Sequence, residues 1–234
     1  MKRSRRRWFL RRWVLIPLVV LFAIALTPFV LALLYRVEDV RPVSTLMLSR
    51  ALAGEPVERR WVEFDEIAPS LYQSVMMSED GQFCAHDGID WAALNMVISD
   101  ALDGERTRGA STITMQTAKN LFLWNDRSYV RKALEVPLAL WIDFVLPKKR
   151  IMEIYLNIAE WGPQGQFGVQ VAAEHHFDRE PSDITAMQAA LLATTLPNPH
   201  MRDPARPSAH HREVAGVIAR RARQSGAYIG CLSQ

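Results

Sequence analysis

The sequence predicts a mainly α-helical protein preceded by one N-terminal transmembrane helix. Residues 13–35 carry no charged side chain, and at about 1.5 Å of rise per residue they can cross a hydrocarbon core of about 30 Å. Beyond them, apolar residues recur at helical spacing over most of the chain. The cysteines, Cys84 and Cys231, are too few for a disulfide-rich scaffold, and both a single bridge and two free thiols stay open.

Residues 1–12 form a basic arm that holds seven Lys and Arg residues and no acid. Next to an apolar span, such an arm predicts a cytoplasmic N-terminus and an outer location for the rest of the chain. A cleaved signal peptide is the alternative, but its apolar stretch would be shorter and no small-residue cleavage site precedes Tyr35. Without the arm, 21 of the 28 cations face 25 acids, so the basic arm reflects topology and we expect no nucleic-acid partner.

The outer part is predicted to consist of a connector, residues 36–59, and one domain of ordinary size, residues 60–234. The domain contains no repeat or low-complexity linker. Two polar segments, 103–109 and 163–168, are predicted loops. Helices are predicted to start near Pro69 and to cover 89–102, 111–123, 129–146, 149–160, 182–195 and 210–223.

The first of four polar blocks, EDGQFCAHDG, starts with Glu79 at a predicted helix end. Apolar neighbours and the negative end of the helix dipole raise the pKa of such a carboxyl, which suits a general base or acid. A solvated helix end is the alternative. We expect His86 to orient the block by hydrogen bonding, because no second ligand lies at zinc-like spacing.

The second block, GASTITMQTAKN at 109–120, opens a helix. Its first backbone N–H groups, with the hydroxyls of Ser111 and Thr112, are suited to phosphate or sugar oxygens. A capped helix with solvated cations is the alternative. The polar residues that fall near one face of this helix are Gln116, Lys119 and Asn120.

The third block is RKALE at 131–135. Together with the preceding Arg127, its Arg131 and Glu135 lie at intervals of four residues. Lys119 would add a point charge to these guanidinium groups, which favours binding of a large anion. A ladder of surface ion pairs explains the spacing equally well.

The apolar segment 137–149 ends in cations, so it is predicted either to lie at a membrane interface or to pack in the core. It leads into the fourth block, KKRIMEIYLN at 148–157. There we expect the isoleucines and Tyr155 in the core, and Glu153 and Asn157 as internal hydrogen-bonding partners.

In this order, the four blocks resemble the successive motifs of the peptidoglycan glycosyltransferases, glycosyltransferase family 51. Gly162 and the AAEHHF segment at 172–177 extend the match, which covers roughly residues 60–200. The resemblance implies a lysozyme-like glycosyltransferase domain with a membrane-abutting lobe. Because no transpeptidase domain follows, it implies a monofunctional member of the family.

The resemblance also implies a reaction: lipid II is added to a glycan strand with inversion at the anomeric carbon, and undecaprenyl diphosphate leaves. Glu79 matches the catalytic base that deprotonates the 4-hydroxyl of the incoming N-acetylglucosamine, and Glu135 matches the second catalytic carboxylate. The cations expected at the diphosphate are Lys119, Arg127 and Arg131, and the polar residues expected to line the cleft are Ser111, Thr112, Gln116 and Asn120.

Implied partners are lipid II, the growing strand, the membrane and proteins of cell-wall synthesis or division. The implied location is the inner membrane, crossed once, with the catalytic domain in the periplasm. Family members often use a divalent cation (Mg or Mn) near the diphosphate, but the sequence shows no dedicated metal cage.

Two positions depart from the family pattern, Met115 in place of a glutamine and Gln188 in place of a glutamate. We expect Met115 to loosen the helix start at a cost of about 1 kcal/mol, and Gln188 to change any buried ion pair at its position. Both favour the alternative of a catalytically weak scaffold subunit. An enzyme is favoured by the intact residues Glu79, Lys119, Arg127 and Glu135. The basic cluster argues against a lytic enzyme, which binds no diphosphate.

Overall fold

The structure, a computed structural model, describes residues 2–104, 109–126 and 128–233. Arg127 and part of the predicted loop 103–109 lie outside the described residues. Within these ranges the fold is mainly α-helical, as predicted. The helices are α1 (Lys2–Leu34), α2 (Thr45–Leu52), α3 (Pro69–Glu79), α4 (Trp91–Leu102), α5 (Ile113–Phe122), α6 (Tyr129–Val145), α7 (Lys148–Ile158), α8 (Val169–Phe177), α9 (Ala186–Thr195) and α10 (Ala209–Arg223).

The predicted helices are present, with ends that differ by a few residues. Sequence patterns did not predict α2, a short helix within the connector 36–59, which starts where the Ser44 hydroxyl accepts the N–H of Met47. A small sheet was also not predicted, because its strands are only two or three residues long. Its strands are β1 (Glu58–Arg59), β2 (Glu160–Gly162) and β3 (Gln166–Phe167). β3 lies in the middle, parallel to β1 and antiparallel to β2.

The start of α9 explains the place of Gln188. The Thr185 hydroxyl accepts the backbone N–H of Gln188, whose side chain accepts the backbone N–H of Thr185 in return. This is a capping box, in which glutamine and glutamate serve equally as the returning acceptor. Gln188 is therefore engaged at a partly exposed helix start rather than in a buried site.

Two groups of helices enclose the core. Helices α3, α9 and α10 pack together, and α5 packs against both α6 and α7. α7 is buried from Arg150 to Ile158, and its buried polar side chains form hydrogen bonds inside the protein. Glu153 accepts the indole N–H of Trp61, and the Asn157 amide bonds both backbone groups of Val62, which confirms their predicted internal roles.

Helix α6 has one buried and one exposed apolar face, so the segment 137–149 packs in the core on one side, and contact of the other side with a membrane interface stays a prediction. Ile142 lies in the core, whereas Phe144 is 81% exposed. On the exposed side, the indole N–H of Trp141 donates to the carbonyl of Phe29 in α1 at 2.9 Å. The part of α1 from Leu15 to Leu34 is long and apolar enough to cross a membrane, and its side chains are largely exposed.

A disulfide joins Cys84 to Cys231, which settles the alternatives left open by the sequence. It links the segment that follows α3 to a short 3-10 helix, Gly230–Leu232, which lies 147 residues later in the sequence. Leu232 in that helix is buried in the main core. The C-terminal segment is thereby fastened to the polar block that contains Glu79.

Candidate active site

Helix α3 ends at Glu79 because the next residue turns away from the helix axis. Asp80 has extended backbone and its carboxylate accepts the N–H of Ile113, at the start of α5, at 2.9 Å. His86 contacts the same carboxylate through Nε2 at 3.0 Å, which confirms its predicted role in orienting the block. Asp80 thus holds the end of α3 against the start of α5.

The start of α5 is well capped although Met115 replaces a glutamine. The Thr112 hydroxyl accepts the N–H of Met115 at 3.1 Å and donates to the carbonyl of Gly88 at 2.6 Å. Gly88 has a φ of +85°, and a Cβ there would lie 2.8 Å from the carbonyl oxygen of Ala139. Only glycine therefore fits at position 88. With Asp80 also bonded to this turn, the expected loosening is not observed; the Met115 side chain is buried in the core.

Glu79 is hydrogen-bonded by neutral groups. The Gln116 amide donates to its Oε2 at 3.1 Å, and the Ser78 hydroxyl contacts its Oε1 at 3.4 Å. The Tyr155 hydroxyl donates to Gln116 Oε1 at 3.0 Å, so it fixes which way the amide points. Burial raises the pKa of Glu79, and the two hydrogen bonds and the charge of Arg202 offset this only in part.

The second glutamate, Glu135 on α6, is surrounded by cations. Its carboxylate is buried and forms ion pairs with Arg131 and, at 2.7 Å, with Lys132. Lys132 also donates to the hydroxyl of Ser111 at 2.6 Å. The positive charges of Arg131 and Lys132 therefore lie beside the start of α5, and both are paired with the carboxylate of Glu135.

Lys119 lines a cavity of about 230 Å³. Burial lowers the pKa of Lys119; among its charged neighbours, Glu135 raises this pKa, whereas Arg131 and Lys132 lower it. The other polar residues lining this cavity, which we call the cleft, are Ser44, Gln116, Asn120, Asn125, Tyr155, Glu160 and His200.

The structure brings most of the predicted site residues together. Glu79 contacts Gln116, which lines the cleft with Lys119 and Asn120. Arg131 and Lys132 both bind Glu135, and we call these three residues the cation cluster. Ser111 is joined to it by the hydrogen bond from Lys132. Thr112 lies behind this surface, where its buried hydroxyl caps α5. Arg127 lies outside the described residues.

Three residues near the predicted site residues were not assigned to the site from the sequence. Lys132 stands inside the RKALE block, three residues before Glu135, a spacing that predicts an ion pair. Tyr155 was assigned to the core, where its ring does lie, but its hydroxyl reaches Gln116. Arg202 follows α9 in a proline-rich segment, which gave no signal for it.

The described residues do not form a resident metal site. In those ranges, no group of three or more His, Cys, Asp or Glu side chains is placed to hold a metal ion. The carboxylate of Glu160 in the cleft already pairs with Arg50 at 2.8 Å and with His200 at 3.0 Å.

The chain is similar to a family model and to several named proteins. Residues 46–223 match the family model described as Transglycosylase. The biosynthetic peptidoglycan transglycosylase of Rhizobium etli is 56% identical over 230 residues, 98% of each chain, and that of Mesorhizobium japonicum is 55% identical over 231 residues, also 98% of each. The protein of that name in Brucella suis is 56% identical over 217 residues, 93% of this chain and 96% of the relative. The chain therefore belongs to the transglycosylase family, as a peptidoglycan glycosyltransferase that polymerises glycan.

Proposed function

We propose that the protein polymerises lipid II with Glu79 as the general base. The single observation that carries this proposal is the environment of Glu79, which is buried and hydrogen-bonded by Gln116 and Ser78 but has no cation in contact among the described residues. Such a carboxylate has a raised pKa and accepts a proton more readily than a solvated or ion-paired one.

In the proposed reaction, Glu79 takes the proton of the 4-hydroxyl on the incoming N-acetylglucosamine. The hydroxyl oxygen forms a bond to the anomeric carbon of the growing strand, on the face opposite the diphosphate. The bond from that carbon to the diphosphate oxygen breaks with its electron pair, so the configuration inverts and undecaprenyl diphosphate leaves. Negative charge grows on the leaving group, where preorganised cations stabilise it most.

The cations proposed for that task are Lys119, Arg131 and Lys132. Lys119 lines the cleft, and the other two are held beside it by Glu135. A guanidinium fork and two ammonium groups together suit the several oxygens of a diphosphate. Glu135 then acts as a positioning residue that keeps the two α6 cations in place.

The proposed location is the inner membrane, with the basic arm in the cytoplasm and the domain in the periplasm. Helix α1 would be the anchor. Val130, Leu134 and Phe144 are exposed at helical spacing on α6, in line with Trp141, which packs on α1. An apolar stripe that continues from an anchor suits an interfacial surface, where a lipid-linked substrate would enter. Proteins of cell-wall synthesis or division stay a predicted class of partner.

The test is a product gel of labelled lipid II incubated with the full-length protein in detergent. We expect a ladder of glycan strands from the wild type and none from Glu79→Gln, which keeps the shape but cannot take the proton. Glu213→Gln, at an exposed position on α10, is the matched control and should give the wild-type ladder. Lipid II binding without any ladder from the wild type would contradict the proposal and support a scaffold role.

A further inference from the structure

A second cavity, of about 310 Å³, adjoins the cleft. The two cavities share Pro199 and His200, which line both. Its walls come from the turn between β2 and β3, from the end of α8 and from the segment that follows α9. We call it the histidine pocket, and its titratable lining residues are His175, His176, His200, Arg202, Asp203 and Arg206.

The lining of the histidine pocket has a net positive charge. Arg202 and Arg206 face a single acid, Asp203, which is held by Arg206 Nε at 3.0 Å. Arg202 donates one Nη to the carbonyl of Thr194. Among the described residues, the remaining guanidinium N–H groups of both arginines have no protein acceptor, so they can bind a ligand.

The wall between the two cavities does not repel an anion. Glu160 is an acid that lines the cleft next to His200, and its carboxylate is paired with Arg50 on one oxygen and His200 on the other. His200 itself lines both cavities. An anionic ligand could therefore extend from the cleft past His200 without meeting an unpaired carboxylate among the described lining residues.

The pocket is also electrostatically linked to the catalytic glutamate. The charge of Arg202 lowers the pKa of Glu79, against the effect of burial. The geometric link runs through Gln116, which contacts Glu79 and lines the cleft that adjoins the histidine pocket. Because the cleft and the pocket share Pro199 and His200, a substrate whose reacting hydroxyl meets Glu79 would have its next groups near the histidine pocket.

We propose that the histidine pocket binds carboxylate groups of the peptide carried by the incoming lipid II. This inference rests on the proposed function. The peptide is attached to the muramyl sugar, one sugar from the reacting 4-hydroxyl, and it carries free carboxylates. A guanidinium group binds a carboxylate through two parallel hydrogen bonds. The diphosphate of a bound substrate has its own cations, Lys119, Arg131 and Lys132, beside Glu135.

The pocket also has a suitable size. Ligand pockets are usually about 300–1,000 Å³, and this one, at about 310 Å³, would hold part of a peptide rather than the whole chain. Its two arginines match a short acidic segment.

The experiment compares two lipid-linked disaccharide substrates, one with the native peptide and one with its carboxylates converted to amides. For the wild type, we expect a KM several-fold lower for the acidic substrate. In Arg202→Gln/Arg206→Gln this ratio of KM values should fall to near one. Arg212→Gln, which removes a charge from an exposed position of α10, is the control and should keep the wild-type ratio.

A wild-type ratio of one, or a double variant that keeps the wild-type ratio, would overturn the pocket proposal while polymerisation itself continues. Failure to polymerise either substrate would instead count against the proposed function. A soluble disaccharide peptide without lipid or phosphate should shift the ring signals of His175 and His176, which line the pocket but not the cleft, in NMR spectra of the full-length protein, and inorganic pyrophosphate should not. Shifts with pyrophosphate alone would assign the pocket to phosphate and overturn the inference.

Discussion

Glu79 and Glu135 are two partly or fully buried carboxylates, and they differ in what surrounds them. Glu135 forms ion pairs with Arg131 and Lys132. Glu79 receives hydrogen bonds from a neutral amide and a neutral hydroxyl, and its pKa is raised by burial. Neighbouring cations stabilise an ionised carboxylate and make it a poor proton acceptor, whereas desolvation has the opposite effect.

The comparison teaches that the surroundings, rather than the residue type, divide the work between the two glutamates. A base has to gain a proton during the reaction, which suits Glu79. An anchor for cations has to hold them in fixed positions, which suits Glu135 with its two ion pairs. In the sequence, both are single glutamates inside short polar blocks, and only the three-dimensional neighbours separate them.

The largest expected effect is that of Glu79→Gln. General-base catalysis contributes about 100- to 10,000-fold to a rate, so we expect kcat to fall by about that factor. The affinity for lipid II should change little, because the cation cluster at Glu135 is untouched. Steady-state kinetics with labelled lipid II and a separate binding measurement check both points. A residual kcat above a tenth of the wild-type value would break the assignment of different roles.

The next effect concerns stability, because the segments that carry the two glutamates are fixed by different kinds of bond. The segment after Glu79 is fastened covalently through Cys84 to Cys231, across 147 residues of sequence, whereas Glu135 is held by ion pairs. Removing a bridge that closes a long loop costs about 2–5 kcal/mol, so the variant Cys84→Ser/Cys231→Ser should unfold at a clearly lower temperature.

Thermal unfolding in detergent, with and without dithiothreitol, measures this difference. Reductant should lower the Tm of the wild type towards that of the double variant and leave the variant unchanged. Equal Tm values for the wild type and the variant would show that the bridge does not stabilise the fold.

A smaller loss of stability is expected for Glu135→Gln. The change leaves Arg131 and Lys132 without their counter-ion; both are only partly exposed, so we expect a loss of about 2 kcal/mol in the free energy of unfolding. KM for lipid II should rise as well, because the two cations lose their fixed positions. Denaturant titration and steady-state kinetics would test this. A variant with unchanged stability and a lost kcat would instead make Glu135 a direct participant.

The sequence predicted the parts of the site that depend on local spacing. Lys119 and Gln116 fall on one helical face, and four residues separate Arg131 from Glu135, so their proximity follows from helix geometry. The ordered motifs indicated the family and hence the fold.

What the sequence could not predict depends on segments that are far apart in the chain. Arg202 acts on Glu79, and Tyr155 reaches Gln116, only because tertiary packing brings their helices and loops together. The bridge between Cys84 and Cys231 has the same origin. Short elements such as α2 and β3 contain too few residues to show a periodic pattern.

The smallest effect, and the one that most sharpens the comparison, is a change in pH dependence for Gln116→Met. The Gln116 amide donates to Glu79 and so lowers the pKa of that carboxyl. Without this donor the pKa of Glu79 should rise further. Because the base acts in its ionised form, the acid limb of the profile of kcat/KM against pH should move to higher pH. Tyr155→Phe, which removes only the hydroxyl that orients the amide, should move it less in the same direction.

The control for this shift is Gln224→Met, at an exposed position after α10, which should leave the acid limb in place. A structural defect in Gln116→Met would lower the rate at every pH without moving the limb. A limb that stays fixed, or moves to lower pH, would mean that another group titrates there. Since Glu135 does not contact Gln116 among the described residues, a shift to higher pH in this variant would assign the limb to Glu79 and separate the two glutamates by titration.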